Sequence, residues 1–203
     1  SRNLIANHQP VCQVVGQTLQ GRDTQHRIGV QRDRSNRAVI RLDGEPLDRI
    51  VTLASLQPVC VINDETLGLI DGSPQLRRQF VDWGVFHVEH SYAHSWSEFQ
   101  RVVRQRNALL RSDGKLARGQ IAHWDAQLAR VGISVDEARR RYCDKLAEGF
   151  APLLKGLLHA AITIHLEYRA GWPKDYPDYA KALAAGLESD LAQGFTGYGP
   201  HRA

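Results

Sequence analysis

Three histidines, His87, His90 and His94, stand at i, i+3 and i+7. On a single helix that spacing brings three imidazoles within about 60° of one another, a geometry able to hold Zn²⁺, with Glu89 as a general base in the manner of zinc hydrolases. The plainer reading is a histidine-rich helix start in which His87 makes a structural hydrogen bond, and no metal ligand is assigned. A second constellation is Val59-Cys60-Val61-Ile62 followed by Asn63-Asp64-Glu65. An apolar strand ending in Asp and Glu imitates the way Mg²⁺-handling and catalytic carboxylates are presented to phosphates. Strands leaving a core commonly end in acidic residues, however, and no G-x-x-x-x-G-K-S/T phosphate cradle occurs in the sequence. No residue is therefore assigned a catalytic role.

Cations form the third group. Arg77, Arg78, Arg101, Arg104 and Arg111 are candidates for phosphate contact, because guanidinium groups bind phosphate oxygens bidentately and without regard to base sequence. For Arg78 the competing use is an i,i+4 pair with Asp82, worth about 0.2–0.5 kcal/mol. Arg106 differs: it falls at the edge of an apolar helix face and is expected to pack or pair internally. Near the end of the sequence, Gly199-Pro200 imposes a tight backbone approach after which His201 and Arg202 could reach an anion or a partner subunit.

The elements that must position these groups read as follows. Between Val11 and Arg41, VCQVVGQTL, HRIGVQ and RAVIRL are short β-rich runs broken by RDRSN at 32–36 and by Asp43-Gly44, the pattern of an antiparallel meander. Val59–Ile62 reads as a buried strand, so residues 1–75 are expected to be mainly β. Helices follow. From about Ser95 to Leu110, Trp96, Phe99, Val103 and Leu110 share one face, with Arg101, Arg104 and Arg111 opposite. A loop is expected at Val131–Ile133. The pair Ser134 and Glu137 reads as a capping box that opens a helix to about Leu158. Ile162, Ile164, Leu166 and Tyr168 alternate with polar residues as in a half-buried strand, and a last helix runs from about Asp178 to Ala192 with Gly194 as its cap. Trp83, among Phe80, Val81, Val85 and Phe86, is expected to be a packing residue.

The 203 residues have ordinary globular composition, 42% hydrophobic and 24% charged, with a net charge of +4 that favours a phosphate partner only mildly. Cys12, Cys60 and Cys143 lie far apart without a C-x-x-C pair, which suggests neither a zinc ribbon nor a disulfide framework and suits a reducing cytoplasm. No apolar run approaches the roughly 20 residues of a membrane span, and Ser1–Pro10 lacks a signal-peptide pattern.

Several stretches together carry a family resemblance: LQPVCVINDETLGLIDGSP at 56–74, GSPQLRRQFVDWGVFHVE at 72–89, RQRNALLR at 104–111, Trp124-Asp125, RAGW at 169–172 and GFTGYGPHRA at 194–203. In this order they resemble the RecF family of DNA replication and repair ATPases, over nearly the whole sequence. The resemblance implies an α+β fold: the antiparallel β part of an ABC/SMC-like ATPase lobe in 1–75, an inserted helical arm lobe in 76–160, and a strand and helix returning to the ATPase lobe in 161–203. It implies that Asn63, Asp64, Glu65, His201 and Arg202 lie near the nucleotide in the intact protein. Arg77, Arg78, Arg101, Arg104 and Arg111 become DNA-binding candidates. It also implies a cytoplasmic protein of the SOS response that uses ATP and Mg²⁺, dimerises on ATP, binds single-stranded and gapped DNA, and helps load RecA with RecO and RecR. The family keeps its P-loop upstream and its signature and Walker B segments downstream of these motifs. The sequence therefore reads as an internal fragment that should neither bind nor hydrolyse ATP alone. The rival readings are a free-standing DNA-binding or adaptor module without nucleotide chemistry, and a metal-dependent hydrolase built on the three histidines.

Overall fold

A computed structural model describes residues 4–20, 24–112, 114–157 and 165–203. The chain divides into two compact units, 1–62 and 63–203.

In the first unit the meander forms as its turn chemistry requires. Strands β1 (Val11–Gln20), β2 (Thr24–Asp33), β3 (Ala38–Leu42) and β4 (Glu45–Pro46) pair antiparallel in sequence order. Two non-glycine residues with positive φ, Asn36 at 70° and Asp43 at 55°, mark the two tight turns, and Gly44 at 94° follows. Each turn is held by an aspartate. Asp33 Oδ1 accepts from Ser35 Oγ (2.7 Å) and the Arg37 N–H (2.9 Å). Asp43 accepts from the Arg27 N–H on Oδ1 and contacts His26 Nδ1 through Oδ2, both at 2.7 Å. Alternation then sorts the faces: Ile28, Val30, Ile40 and Leu42 are half-buried on one, while Gln13, Val15, Gln17, Gln25, Arg27 and Arg41 are exposed on the other.

The strand expected at Val59–Ile62 does not form. The run is irregular, with Val61 and Ile62 at 68% and 84% exposure. Four apolar residues become a strand only where a neighbour offers a ladder, and among the described residues the sheet ends at β4. The rest of the stretch to residue 75 is helical rather than β: α1 (Ile50–Leu56), a 3₁₀ turn (Asp64–Leu67) and α2 (Gly68–Asp71).

The second unit packs α3 (Pro74–Val88), α4 (Tyr92–Leu110), α5 (Gly114–Leu157) and α6 (Tyr179–Gln193) around Val85, Phe99, Val102, Leu128, Val135 and Leu183. Its boundary falls earlier than the composition change at Pro74, and residues 179–203 belong to it together with the helices. The loop expected at Val131–Ile133 is absent, because α5 is continuous through it. Gly132 is a contact point: a Cβ there would lie 2.5 Å from the Tyr179 ring, so the glycine lets α5 approach α6. Ser134 accordingly caps nothing and donates back to Arg130 O at 3.3 Å. Ile162 and Ile164 lie outside the described residues. Residues 165–168 are irregular, and Tyr168 is instead pinned by its hydroxyl, which donates to Asp136 Oδ1 at 2.9 Å. The last helix forms as expected, with Asp178 accepting from the Lys181 N–H (2.8 Å) and Gly194 at φ 73°. Trp83 is not the packing residue expected of it. Val85 holds the core position on α3, and Trp83, two residues and 200° away, is 39% exposed, its indole edge against His87.

Candidate functional site

Two arginines at 1% exposure or less organise the helical unit, and around them the separated sequence motifs meet. Arg106 on α4 donates from Nε to Asp125 Oδ1 and from Nη1 to Asp190 Oδ2, both at 2.6 Å, and from Nη1 to Thr196 Oγ1 at 3.0 Å. Its neighbour Asn107 uses Oδ1 to accept from the Thr196 N–H (2.8 Å) and hydroxyl (2.7 Å), while Asp190 Oδ1 accepts the Gly197 N–H (2.8 Å). A buried guanidinium is tolerable only when paired and bonded in this way. Burial pushes the Asp125 carboxyl up, against the pull of the Arg106 hydrogen bond and charge.

Arg139 on α5 does the same one turn further along the chain's final segment. Its Nε donates to Asp82 Oδ1 (2.7 Å) and Tyr92 Oη (3.0 Å), and its Nη1 to Pro200 O (2.6 Å). The guanidinium lies 4.9 Å above the Trp96 ring centroid. The Tyr92 hydroxyl donates to Asp82, and burial first of all holds its pKa well above the phenol value.

The segment so gripped is shaped by glycines. Gly199, at φ 136°, donates its N–H to Gly171 O (3.0 Å); a Cβ on Gly199 would fall 2.2 Å from Tyr179 Oη. Tyr179 donates to Tyr198 O (2.8 Å) and stacks on Trp172 at 4.7 Å. His201 is turned inward, its Nε2 3.1 Å from Thr196 O, and burial lowers its pKa to about 4. It is neutral at pH 7, so the proton sits on Nε2. Arg202 is exposed, its guanidinium 5.1 Å from the Phe195 ring centroid.

The five candidate phosphate-binding arginines do not form one surface. Arg77 Nη1 is spent on the carbonyls of Leu69 (3.3 Å), Ile70 (3.5 Å) and Gly72 (3.0 Å). Arg78 donates to Ala203 O (2.9 Å) instead of pairing with Asp82, which Arg139 holds. Burial, then the charges of Arg139 and Arg202, lowers its pKa. Arg111 donates to Gly194 O (3.3 Å) beyond the end of α6. Arg101 and Arg104 point outward from α4 and are exposed. Asn63 closes the capping box of the 3₁₀ turn with Thr66, and Asp64 and Glu65 are exposed beside it. The histidine trio is split: His87 is on α3, His90 in the break after it and His94 on α4. Among the described residues no group of three or more His, Cys, Asp or Glu is placed to hold a metal. His87 meets the rings of Trp83 and Phe86.

Sequence reasoning anticipated Arg106 as internal but passed over Arg139, Asp190 and Thr196. Arg139 had a signal: it lies at i+4 from Val135 and three before Tyr142, inside the apolar stripe of α5, where a surface arginine has no place.

In fold, the chain resembles two solved structures of the recombination mediator protein RecF in the RecFOR pathway, RecF-ATPrS and RecF-ATP. Each superposes with a TM-score of 0.77 at 19% and 18% identity, covering 96% and 97% of this chain and 55% of the RecF chain. In sequence it is similar to DNA replication and repair protein RecF of Stutzerimonas stutzeri (40% identity over 98% of the chain and 53% of the relative) and of Marinomonas sp. (35% over 100% and 54%). RecF of Pseudomonas fluorescens strain Pf-5 shows 37% identity over 98% and 54%. No family model matches the chain. The RecF resemblance thus holds across the whole chain, and the chain spans about half the length of the curated relatives it matches. Among the described residues no helix is long and apolar enough to cross a membrane.

Proposed function

We propose that this chain is the sheet-and-arm portion of a RecF-type DNA replication and recombinational repair protein. The observation that carries the reading is 35–40% identity to RecF proteins along essentially the entire chain. The packing supports it: residues of five of the shared stretches, Asp82, Arg106, Asp125, Gly171 and Thr196, belong to the two buried arginine networks or to the glycine contact beside them. In the intact protein, ATP with Mg²⁺ drives dimerisation and binding to single-stranded and gapped DNA. RecO- and RecR-type mediators act with it to load RecA. Arg101 and Arg104 are free to meet phosphate. Asn63, Asp64, Glu65 and Arg202 face the nucleotide side of the intact protein, and His201 positions Arg202 from within. ATP-site residues lie outside this chain.

The test uses a protein that carries this chain at the full length of its relatives. Gapped duplex should bind with ATP and weakly without it, and the 203-residue chain alone should show no ATP affinity at millimolar nucleotide. Micromolar ATP affinity of the 203 residues, or DNA binding by the long protein that ignores ATP, would overturn this reading.

A further inference from the structure

The sheet unit holds most of the chain's excess charge. Residues 1–62 contain eight arginines and no lysine against five carboxylates, a net +3 of the total +4; residues 63–203 hold the remaining 18 cations against 17 carboxylates. On the face turned away from Ile28, Val30, Ile40 and Leu42 lies a concavity of about 440 Å³. Val15 and Gly29, paired across β1 and β2, belong to its lining, together with Gln13, Arg27 and Arg41 and the Asp43-Gly44 turn at one end. Register makes Arg27 and Arg41 diagonal neighbours on adjacent strands, because Arg41 pairs with Gly29. Such positions stand about 7–8 Å apart. Gln17 and Gln25 continue the same face, bonded to each other at 2.8 Å. Both oxygens of Asp43, the carboxylate in the lining, are already occupied by the Arg27 N–H and His26.

Guanidinium groups and uncharged amides on an open, side-chain-poor floor suit an extended polyanion: the cations neutralise phosphates, and the amides bond to phosphate and sugar oxygens without reading base sequence. We infer that the Arg27–Arg41 face of the sheet is a binding site for the phosphate backbone of DNA, separate from the Arg101–Arg104 face of α4. This rests on the DNA-binding reading above and places a contact where that reading had none.

The experiment measures binding of the full-length protein to a gapped duplex, with ATP, across a salt series. Arg27→Gln with Arg41→Gln retains hydrogen bonding while removing two charges. It is expected to weaken binding about tenfold and to flatten the slope of log affinity against log salt by about 1.4–1.8, two phosphate contacts' worth. Gly29→Val leaves charge unchanged and fills the floor; a Cβ there meets only Arg41 Cβ, at 3.9 Å. It is expected to weaken binding severalfold. Arg32→Ala, on the opposite face of β2, is the control and should change neither affinity nor slope beyond twofold. If the unsubstituted protein binds no DNA, the DNA reading falls, and this inference with it. If that protein binds and the Arg27/Arg41 variant binds equally with an unchanged slope, the inference alone is overturned. Equal losses from Arg32→Ala would replace a site by a diffuse field, and a loss of ATP affinity with DNA binding intact would make the face a nucleotide surface. Either result refutes it.

Discussion

The two units solve the problem of stability differently. Among the described residues, every buried apolar side chain except Ile5 lies in the helical unit. There two enclosed arginines each bond to three separate chain segments, Arg106 through two carboxylates and a hydroxyl and Arg139 through a carboxylate, a hydroxyl and a backbone carbonyl. The sheet unit has ladders, two aspartate-held turns and a half-buried apolar face, while Val14, Leu19, Val59, Val61 and Ile62 stand more than half exposed. Its conspicuous resource is charge. The helical unit encloses Arg106 and Arg139 while the sheet unit keeps Arg27 and Arg41 on an exposed face, where Arg41 Nη1 also donates to Gly44 O at 3.0 Å, so a count of basic residues along the sequence says little about where an anion would bind.

The comparison is tested most severely at Arg106. Arg106→Ala strands Asp125 and Asp190 in the core and is expected to destabilise the helical unit by about 3–5 kcal/mol. Urea denaturation followed by tryptophan fluorescence reads this unit alone, since all four tryptophans lie in 63–203; an unchanged midpoint would remove the arginine hub as a stabilising feature. Next comes pH. His201 has a folded-state pKa near 4 against 6.5 for the free side chain, so below pH 6.5 the unfolded chain binds the proton more readily. Its contribution is complete at neutral pH, declines as pH falls from 6.5 towards 4, and is lost below. About 2 kcal/mol should vanish between pH 6.5 and 5. His201→Gln should abolish that part of the decline; an identical decline in the variant would contradict the burial of His201.

Smaller still is Trp83→Ala. With Trp83 outside the core, the cost should stay within about 1 kcal/mol. A loss of about 3–5 kcal/mol, the range for an emptied aromatic site, would mean that this side of α3 is packed after all. The smallest effect on stability is expected from Arg101→Ala with Arg104→Ala, which should leave the denaturation midpoint within about 0.5 kcal/mol while lowering DNA affinity in the full-length protein. Were affinity and salt slope both unchanged, α4 would contribute no cation to binding.

Local chemistry was readable from the sequence alone wherever it was self-contained. The meander, both of its turns, and α6 with Asp178 and Gly194 at its ends follow from alternation, turn residues and helical spacing, because the forces that decide them act within a few residues. The family resemblance followed from motif order and needed no structure. What tertiary contacts decided was every case where a local signal met a stronger distant partner. Val59–Ile62 lacked a neighbouring ladder. Ser134 lay inside α5, which runs unbroken through Val131–Ile133 with Gly132 against Tyr179. Asp82 went to Arg139 rather than Arg78, and Arg77 and Arg111 to backbone carbonyls. A guanidinium reads the same in sequence whether it faces water or two carboxylates. Its desolvation, and so its role, is set by segments as far away as residues 190–200 lie from Arg106, and only the packed fold brings those together.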